Sequence, residues 1–359
     1  MEFSINTETL KREVNLLQNI ADKKSGIGAL ASLLIESTEK GIKLTGTDLD
    51  TTLQSEVEAT IKTEGSICVP AKKLCDVVKS LDSGTITFKK EKTDWVQLKC
   101  NTSKFRMAGI AREHFPQIPE VADTEVTVDG ESFKALIKHT CFAMTNEESR
   151  FSLNGAKLEV SHGKITMTAT DGHRIATMED DIDDIEAELD VLVPKIALSE
   201  VVKFLGNEVV ITQDTNNIKF VSDNRVLISR KLAPNFPAYK QALPKDNTVQ
   251  ISFSAEEMVK SLRRNAIMAD ERVGAVKLDI KKDKMILSSG TGENSEEEVV
   301  STSMNLPEEG LTVHLNWVYL VDYLMICDKP VLKLKDALSA VELVDSTSRY
   351  IVMPLRASA

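Results

Sequence analysis

The 359-residue chain is poor in aromatics, at 5%, so Leu, Ile and Val must fill most of any core. Its five cysteines, Cys68, Cys75, Cys100, Cys141 and Cys327, are odd in number, and no CxxC occurs. That excludes a disulfide framework and a structural zinc site, and it points to reduced thiols. No apolar run approaches the roughly 18 residues that span a membrane. The opening MEFSINTETLKREV lacks the apolar stretch of a secretory leader, so the expected location is the cytoplasm. Also missing are a GxGxxG after a strand, a P-loop, an HExxH and a GxSxG. The five histidines are scattered. No catalytic residue, cofactor or metal site is therefore expected. Positive charge is scarce as well: 44 basic residues face 55 acidic ones, for a net charge of −11. This argues against a surface coated for nucleic-acid binding, but a local basic patch is still allowed.

What the chain does have is an internal repeat. FSINTETLKREVNLLQNIADKK starts at Phe3, VTVDGESFKALIKHTCFAMTNEE at Val126, and VQISFSAEEMVKSLRRNAIMADE at Val249, with starts 123 residues apart. Each reads as a short strand followed by a helix. In the first, Leu10, Val14, Leu17 and Ile20 fall at helical spacing, with Asn6 or Thr7 as the cap. In the third, Ser254 and Glu257 have capping-box spacing. A second strand–helix unit recurs as ICVPAKKLCDVVKSL from Ile67, VLVPKIALSEVVKFL from Val191 and LTVHLNWVYLVDYLMI from Leu311. Pro70 and Pro194 stand where those helices begin, where a missing N–H does no harm. Strand pairs follow: TITFKK with VQLKC, VVITQD with IKFVSD, VLKLK with AVELVD. The pattern predicts an α+β chain of three tandem domains, at residues 1–121, 122–246 and 247–359. Each has two helices and about eight strands, the helices lying on antiparallel sheet.

The six helical segments, taken as 7–24, 70–82, 131–145, 195–205, 254–272 and 316–329, hold 16 basic and 13 acidic residues. They carry about +3, so the rest of the chain carries about −14. Solvated helix faces would explain this, and so would helices that face a polyanion. Packing geometry adds a constraint. Helices side by side are about 8–10 Å apart. Six in a ring leave almost no hole, whereas twelve leave a bore of roughly 20–28 Å once a helix diameter of about 10–12 Å is removed. That bore fits duplex DNA, so a six-helix chain must pair with a second copy to enclose it.

TGTDLD at Thr45–Asp50, RFSLNG at Arg150–Gly155, TATDGHR at Thr168–Arg174, FPAYKQALP at Phe236–Pro244 and YIVMPLR at Tyr350–Arg356 occur in that order. Together they resemble the bacterial DNA polymerase III beta subunit family over the whole chain. The resemblance implies three DNA-clamp domains per chain in a head-to-tail dimeric ring. Such a ring slides on double-stranded DNA without sequence preference and does no chemistry. It tethers the replicative polymerase, is opened by a clamp loader, and receives repair polymerases and other factors through short peptides.

The resemblance also implies sites. A peptide pocket takes in Leu153, Thr170, Gly172, His173, Arg174, Ile175, Pro237, Asn316, Tyr319, Val352, Met353, Pro354, Leu355 and Arg356; plain core packing is the competing reading for Leu153 and Val352. DNA-facing positions are Lys24, Lys72, Lys73, Arg150, Phe151, Lys195 and Lys203, where solvated charge, or core for Phe151, would serve equally. A dimer contact joins Lys104, Phe105, Arg106 and Met107 to Ile267, Met268 and the acidic run Glu296, Glu297 and Glu298, with Glu293 nearby. Gln241, Ala242, Val273 and the ending Ala357-Ser358-Ala359 depart from the usual pattern. Asp48 lies 123 residues before Asp171, so the TDGHR segment reads as a structural turn rather than a catalytic loop. Two other readings stay open at this point: an enzyme using paired carboxylates, and a repeat scaffold that binds only proteins.

Overall fold

A computed structural model describes residues 1–21, 28–122, 125–145, 147, 150–182, 187–233, 235–270, 273–290 and 295–356. Among them lie six α-helices: α1 (Thr7–Leu17), α2 (Ala71–Lys79), α3 (Gly130–Thr140), α4 (Lys195–Val201), α5 (Ala255–Asn265) and α6 (Trp317–Leu324). The described strands number nine in the first repeat and eight in each of the others, all paired antiparallel. None of these helices is long and apolar enough to cross a membrane.

Three of the helices, α1, α5 and α6, begin at side-chain caps. Asn6 caps α1, its side chain accepting from the amides of Glu8 and Thr9, while Thr7 is buried as the first helical residue. Ser254 accepts from the Glu257 amide at 3.4 Å, and Asn316 caps α6 through the Val318 amide at 2.9 Å. Such caps stabilise by about 1 kcal/mol each. The helices end earlier than the sequence pattern predicts: α1 stops at Leu17 and α5 at Asn265. In α1 the buried stripe is Leu10, Val14 and Leu17, each worth roughly 1.5–3 kcal/mol. A charge at Val14 would break it.

The chain divides into two compact units. The first is Met1–Phe133 with Ile196–Lys231. It holds a five-stranded sheet in the order Thr60–Thr63, Glu2–Asn6, Thr85–Lys90, Trp95–Cys100, Ser103–Ala108. It also holds an eight-stranded sheet ordered Glu125–Asp129, Glu208–Gln213, Asn217–Ser222, Arg225–Arg230, Thr51–Glu58, Gly41–Thr47, Ser32–Ser37, Ser66–Pro70. The second unit is Lys134–Lys195 with Leu232 onward. Its twelve strands run Leu189–Pro194, Gly155–Ser161, Lys164–Thr170, Arg174–Asp181, Ser348–Val352, Val341–Asp345, Val331–Leu334, Val249–Phe253, Ser295–Met304, Lys284–Ser289, Ala275–Ile280, Leu311–Asn316.

The division therefore passes through the second repeat, and sheets are shared between repeats. Within the first unit, Arg225–Arg230 of the second repeat pairs with Thr51–Glu58 of the first, Leu227 opposite Leu53. Within the second unit, Arg174–Asp181 pairs with Ser348–Val352 of the third repeat, Tyr350 opposite Ala176. Both partners of the second joint lie 123 residues after those of the first, so the repeat survives as strand register. The first joint is reinforced by Glu13 of α1, whose fully buried carboxylate accepts from Arg225 at 2.7 and 2.9 Å and from Ser55 at 2.8 Å.

Candidate functional site

Two turns 123 residues apart share one construction. At Thr170–Arg174, the Asp171 carboxylate accepts from the amides of His173 at 2.9 Å and Arg174 at 3.1 Å. The Thr170 hydroxyl accepts from the Gly172 amide and donates to the Arg174 carbonyl. At Thr47–Thr51, Asp48 accepts from Asp50 and Thr51, and the Thr47 hydroxyl bridges the Leu49 amide and the Thr51 carbonyl. Gly172 and Leu49 occupy the same left-handed position, at φ 92° and 83°. Glycine takes that conformation without strain. Asp171 thus builds a turn, as its spacing from Asp48 predicts.

Arg174 leaves the Asp171 turn and is only 8% exposed. Its Nε donates to Asp171 at 2.9 Å. Its Nη1 donates to Asp322 of α6 at 2.6 Å and to the Tyr350 hydroxyl at 3.3 Å, and its Nη2 donates to the Phe142 carbonyl at 2.9 Å. The guanidinium lies 4.4 Å from the centre of the Tyr319 ring. Tyr350 stacks on Tyr323 at 5.0 Å and meets Phe142 at 5.3 Å. Burial opposes the arginine's charge, but Tyr350, Asp322 and Asp171 outweigh it and raise its pKa above the ordinary range. Burial, joined by the Asp171 charge, also raises the Tyr319 pKa. Charged groups buried this way are stable only when paired.

The C-terminal stretch runs beside this hub. Val352 lies opposite Arg174 in the sheet, and the Met353 amide donates to the His173 carbonyl at 3.1 Å. The Leu355 amide donates to the His314 carbonyl at 2.8 Å. Met353 and Arg356 are exposed, Pro354 and Leu355 half-buried, Val352 and Thr170 buried, and Ile175 half-buried. Ile175, Met353, Pro354 and Leu355 thus leave partly or fully exposed apolar side chains near exposed His173 and the Arg174–Tyr319 contact. Leu153 is half-buried on the 3-10 turn Phe151–Leu153, its amide bonded to the Arg150 carbonyl. Asn316 is held by its capping role and by donating to the Val273 carbonyl. Pro237 is exposed, and its neighbour Tyr239 is anchored to Glu159 at 2.7 Å rather than to the Arg174 hub.

Sequence reasoning missed Asp322, Phe142, Tyr323 and the role of Tyr350. One signal was present: three of the chain's four tyrosines, 319, 323 and 350, meet here.

Of the expected DNA-facing residues, Lys24 lies outside the described residues, and so does the Phe151 side chain. Lys72 and Lys73 are exposed in the first turn of α2, on the side away from Leu74, Cys75 and Val78, with no in-chain ion pair among the described residues. Lys203 pairs with Glu200 at 2.5 Å. Arg150 pairs with Glu147 at 3.2 Å and donates to the Asp171 carbonyl at 3.1 Å, bracing the turn. Lys195 is half-buried at the start of α4, its amide on the Asn154 carbonyl.

Of the expected dimer residues, Lys104 is exposed, Phe105 half-buried and Met107 only 6% exposed, already packed in its own sheet. Arg106 is bonded to Glu91 and lies 4.2 Å from the Trp95 ring centre. Ile267 is 79% exposed and Met268 half-buried, both past the end of α5. Glu297 is held by Arg264 and Glu298 by Lys284 at 2.6 Å, while Glu296 is exposed. Glu293 lies outside the described residues.

Three family models match in series: the DNA polymerase III beta subunit N-terminal domain over residues 1–119, the central domain over 127–238 and the C-terminal domain over 240–356. The beta sliding clamp of Vibrio cholerae is 29% identical over 373 residues, covering 99% of this chain and 100% of that protein. That of Haemophilus influenzae is 28% identical over 370 residues, with the same coverage. The crystal structure of the DNA polymerase III subunit beta from Pseudomonas aeruginosa superposes with a TM-score of 0.92 at 26% identity, covering 99% of this chain and 100% of that one. With three tandem clamp domains matched in order, this chain belongs to the DNA polymerase III beta subunit family, the non-catalytic sliding clamps that serve as processivity factors in DNA replication.

Proposed function

We propose that two copies of this chain close head to tail into a ring around duplex DNA and hold polymerases to it through the surface beside Arg174. The observation that carries the closure is the repeated joint. Arg225–Arg230 pairs with Thr51–Glu58, and Ser348–Val352 pairs with Arg174–Asp181 in the same register. The first-repeat counterpart of the outer strands is Ser103–Ala108, which among the described residues is paired on one side only. The third-repeat counterpart of the receiving strands is Ser295–Val300, whose described pairing is with Lys284–Ser289 alone. An unpaired edge is a template for another chain, and here each edge has its complement on a second copy. Exposed Ile267 then gains cover, and twelve helices supply the perimeter that six cannot. The family matches, ending at 119, spanning 127–238 and resuming at 240, accord with a first boundary near residue 121 and draw the second a few residues before 246.

Holding is topological, so weak phosphate attraction from residues such as Lys72 and Lys73 suffices and permits sliding. The Thr170–Ile175 turn, Tyr319 and Val352–Arg356 form the docking surface for short peptides of the replicative polymerase, the clamp loader and repair factors. An apolar floor with a few polar anchors suits that use. These roles place the protein in the cytoplasm. Sedimentation at micromolar concentration should give the mass of two chains. The loaded ring should stay on a closed plasmid and leave once it is linearised. A strict monomer, or equal retention on both DNA forms, would overturn the reading.

A further inference from the structure

We infer that the first joint carries a binding site for an arginine side chain of a partner segment, lined by Asp48, Thr51 and Glu200. The site uses none of the residues beside Arg174. It lies within one copy, so it does not depend on closure of a ring.

The repeat supplies a comparison inside the chain. Thr51 is opposite Ser229 as Arg174 is opposite Val352. The strands before α4 and α6 end at Pro194 and Asn316, which pair with Gly155 and Ala275 at the same point of the ladder. Counting on from there, Glu200 of α4 is the counterpart of Asp322 of α6. Asp48 is the counterpart of Asp171, since each holds its turn through the amides two and three residues on. At the second joint, Asp171 and Asp322 close on the Arg174 guanidinium at 2.9 and 2.6 Å. At the first joint both carboxylates are kept and the arginine is not.

The atoms around that position are left unsatisfied. The Glu200 side chain is 9% exposed. Its Oε1 accepts from Lys203 at 2.5 Å, while its Oε2 is buried with no hydrogen-bond partner. Thr51 is 1% exposed, and its hydroxyl is also buried without a partner. Orphaned buried oxygens are rare, because each forgoes the water it left. Asp48 gives Oδ1 to two amides, and no ion pair reaches it among the described residues. Burial pushes its carboxyl up past the pull of those amides, and the Asp50 charge adds to the rise. Three acceptors thus stand around the place that one guanidinium fills at the second joint. A water brings donors but no charge to two carboxylates. A guanidinium brings both, with five N–H donors in a planar fork. The rim is apolar. Leu49, next to Asp48, is 57% exposed, and Ile196, one turn before Glu200, is exposed as well. Leu49 stands at φ 83°, a left-handed conformation that strains a side chain and that Gly172 takes freely in the matching turn. A strained leucine held out in solvent beside uncompensated carboxylates suits a segment with an arginine next to an apolar residue.

The test uses the full chain and two fluorescent peptides, Gly-Leu-Arg-Leu-Gly and the same peptide with citrulline, which keeps the shape of arginine without its charge. By anisotropy the arginine peptide should bind, and the citrulline peptide should bind roughly tenfold or more weakly, since charge-assisted bonds are lost. T51R supplies a guanidinium from within the chain. It should raise the melting temperature and weaken the arginine peptide by roughly tenfold or more. E200Q keeps the shape of the site and removes its buried charge, so it should weaken the peptide by a similar factor whether or not T51R folds. Deleting residues 353–359 should leave this binding unchanged, which separates it from docking beside Arg174. No binding of the arginine peptide, equal binding of the two peptides, or full binding by E200Q overturns the site. So does a crystal structure with the arginine peptide present that shows only a water between Thr51 and Glu200.

Discussion

The Met353 amide donates to the His173 carbonyl at 3.1 Å, and 123 residues earlier in both partners the Arg230 amide donates to the Asp50 carbonyl at 2.8 Å. One backbone joint has been given two surfaces. At the first joint the side chains are short or polar: Thr51 stands where Arg174 does, and Ala197 of α4 where Tyr319 of α6 does. At the second, Arg174 carries Tyr319 on its face, and Met353 is left exposed. The surface beside Arg174 is a side-chain elaboration of a repeated frame.

The first prediction follows from that contact. Removing residues 353–359 takes away Met353, Pro354, Leu355 and Arg356 together with the bond to His173. The proposed edge strands, Ser103–Ala108 and Ser295–Val300, are untouched. Binding of a fluorescent peptide with a Gln and a Leu or Phe should vanish by anisotropy, from a starting affinity on the order of micromolar (about −8 kcal/mol). Sedimentation should still report a dimer. Full binding by the truncated dimer would place the docking surface elsewhere.

A second prediction concerns acid. Burial alone would raise the Glu13 pKa, but Arg225, Arg12 and Ser55 outweigh it and the net direction is down. A carboxylate depressed in the folded state contributes stability above its unfolded pKa of about 4.3. That stability is lost as pH falls through the lower folded value. Urea midpoints of wild type should therefore drop below about pH 4, and those of E13Q should drop less over the same range. At neutral pH, Glu13→Ala strands Arg225, and breaking such a buried pair costs roughly 3–5 kcal/mol. Parallel pH profiles for the two proteins would deny Glu13 this part.

Much of this was legible in the sequence, for physical reasons. The three-fold repeat, both strand–helix units and the expected strand pairs are patterns of hydrophobic spacing, and spacing is what a sequence displays directly. The Asp171 turn was legible because Asp48 repeats it. Sharing of sheets between repeats was not, since Leu227 meets Leu53 through backbone bonds that leave no residue signature. Asp322 and Tyr323 were hidden as two more positions of an apolar helix. The Lys203–Glu200 pair was legible as an i,i+3 spacing. Arg150 was expected to face DNA from the resemblance alone, and its bond to the Asp171 carbonyl, again backbone, left no trace in the sequence.

A third prediction separates function from stability at Lys72 and Lys73. Both lie in the first turn of α2, which holds no acidic residue. Cations there oppose the helix dipole by about 0.3–1 kcal/mol each. K72E/K73E should therefore raise the melting temperature slightly while impairing retention on closed plasmid DNA. Solvated charges without a role would give the rise alone.

The last prediction concerns the geometry of Arg174. Its planar fork serves Asp171, Asp322, the Tyr350 hydroxyl and the Phe142 carbonyl at once, and its face lies over Tyr319. Lysine keeps the charge but offers one compact ammonium, with no plane to stack and no fixed fork. Arg174→Ala leaves two carboxylates and a buried hydroxyl without their partner, at a cost of roughly 3–5 kcal/mol. Arg174→Lys recovers one ion pair at most, so it should lose about 2–3 kcal/mol by the same reasoning. Its peptide affinity should fall at least tenfold, because Tyr319 is no longer held. Thermal melts and anisotropy on the two variants decide the matter. If Arg174→Lys melts and binds as wild type does, positive charge is all that the position requires, and the fork and the Tyr319 contact organise nothing.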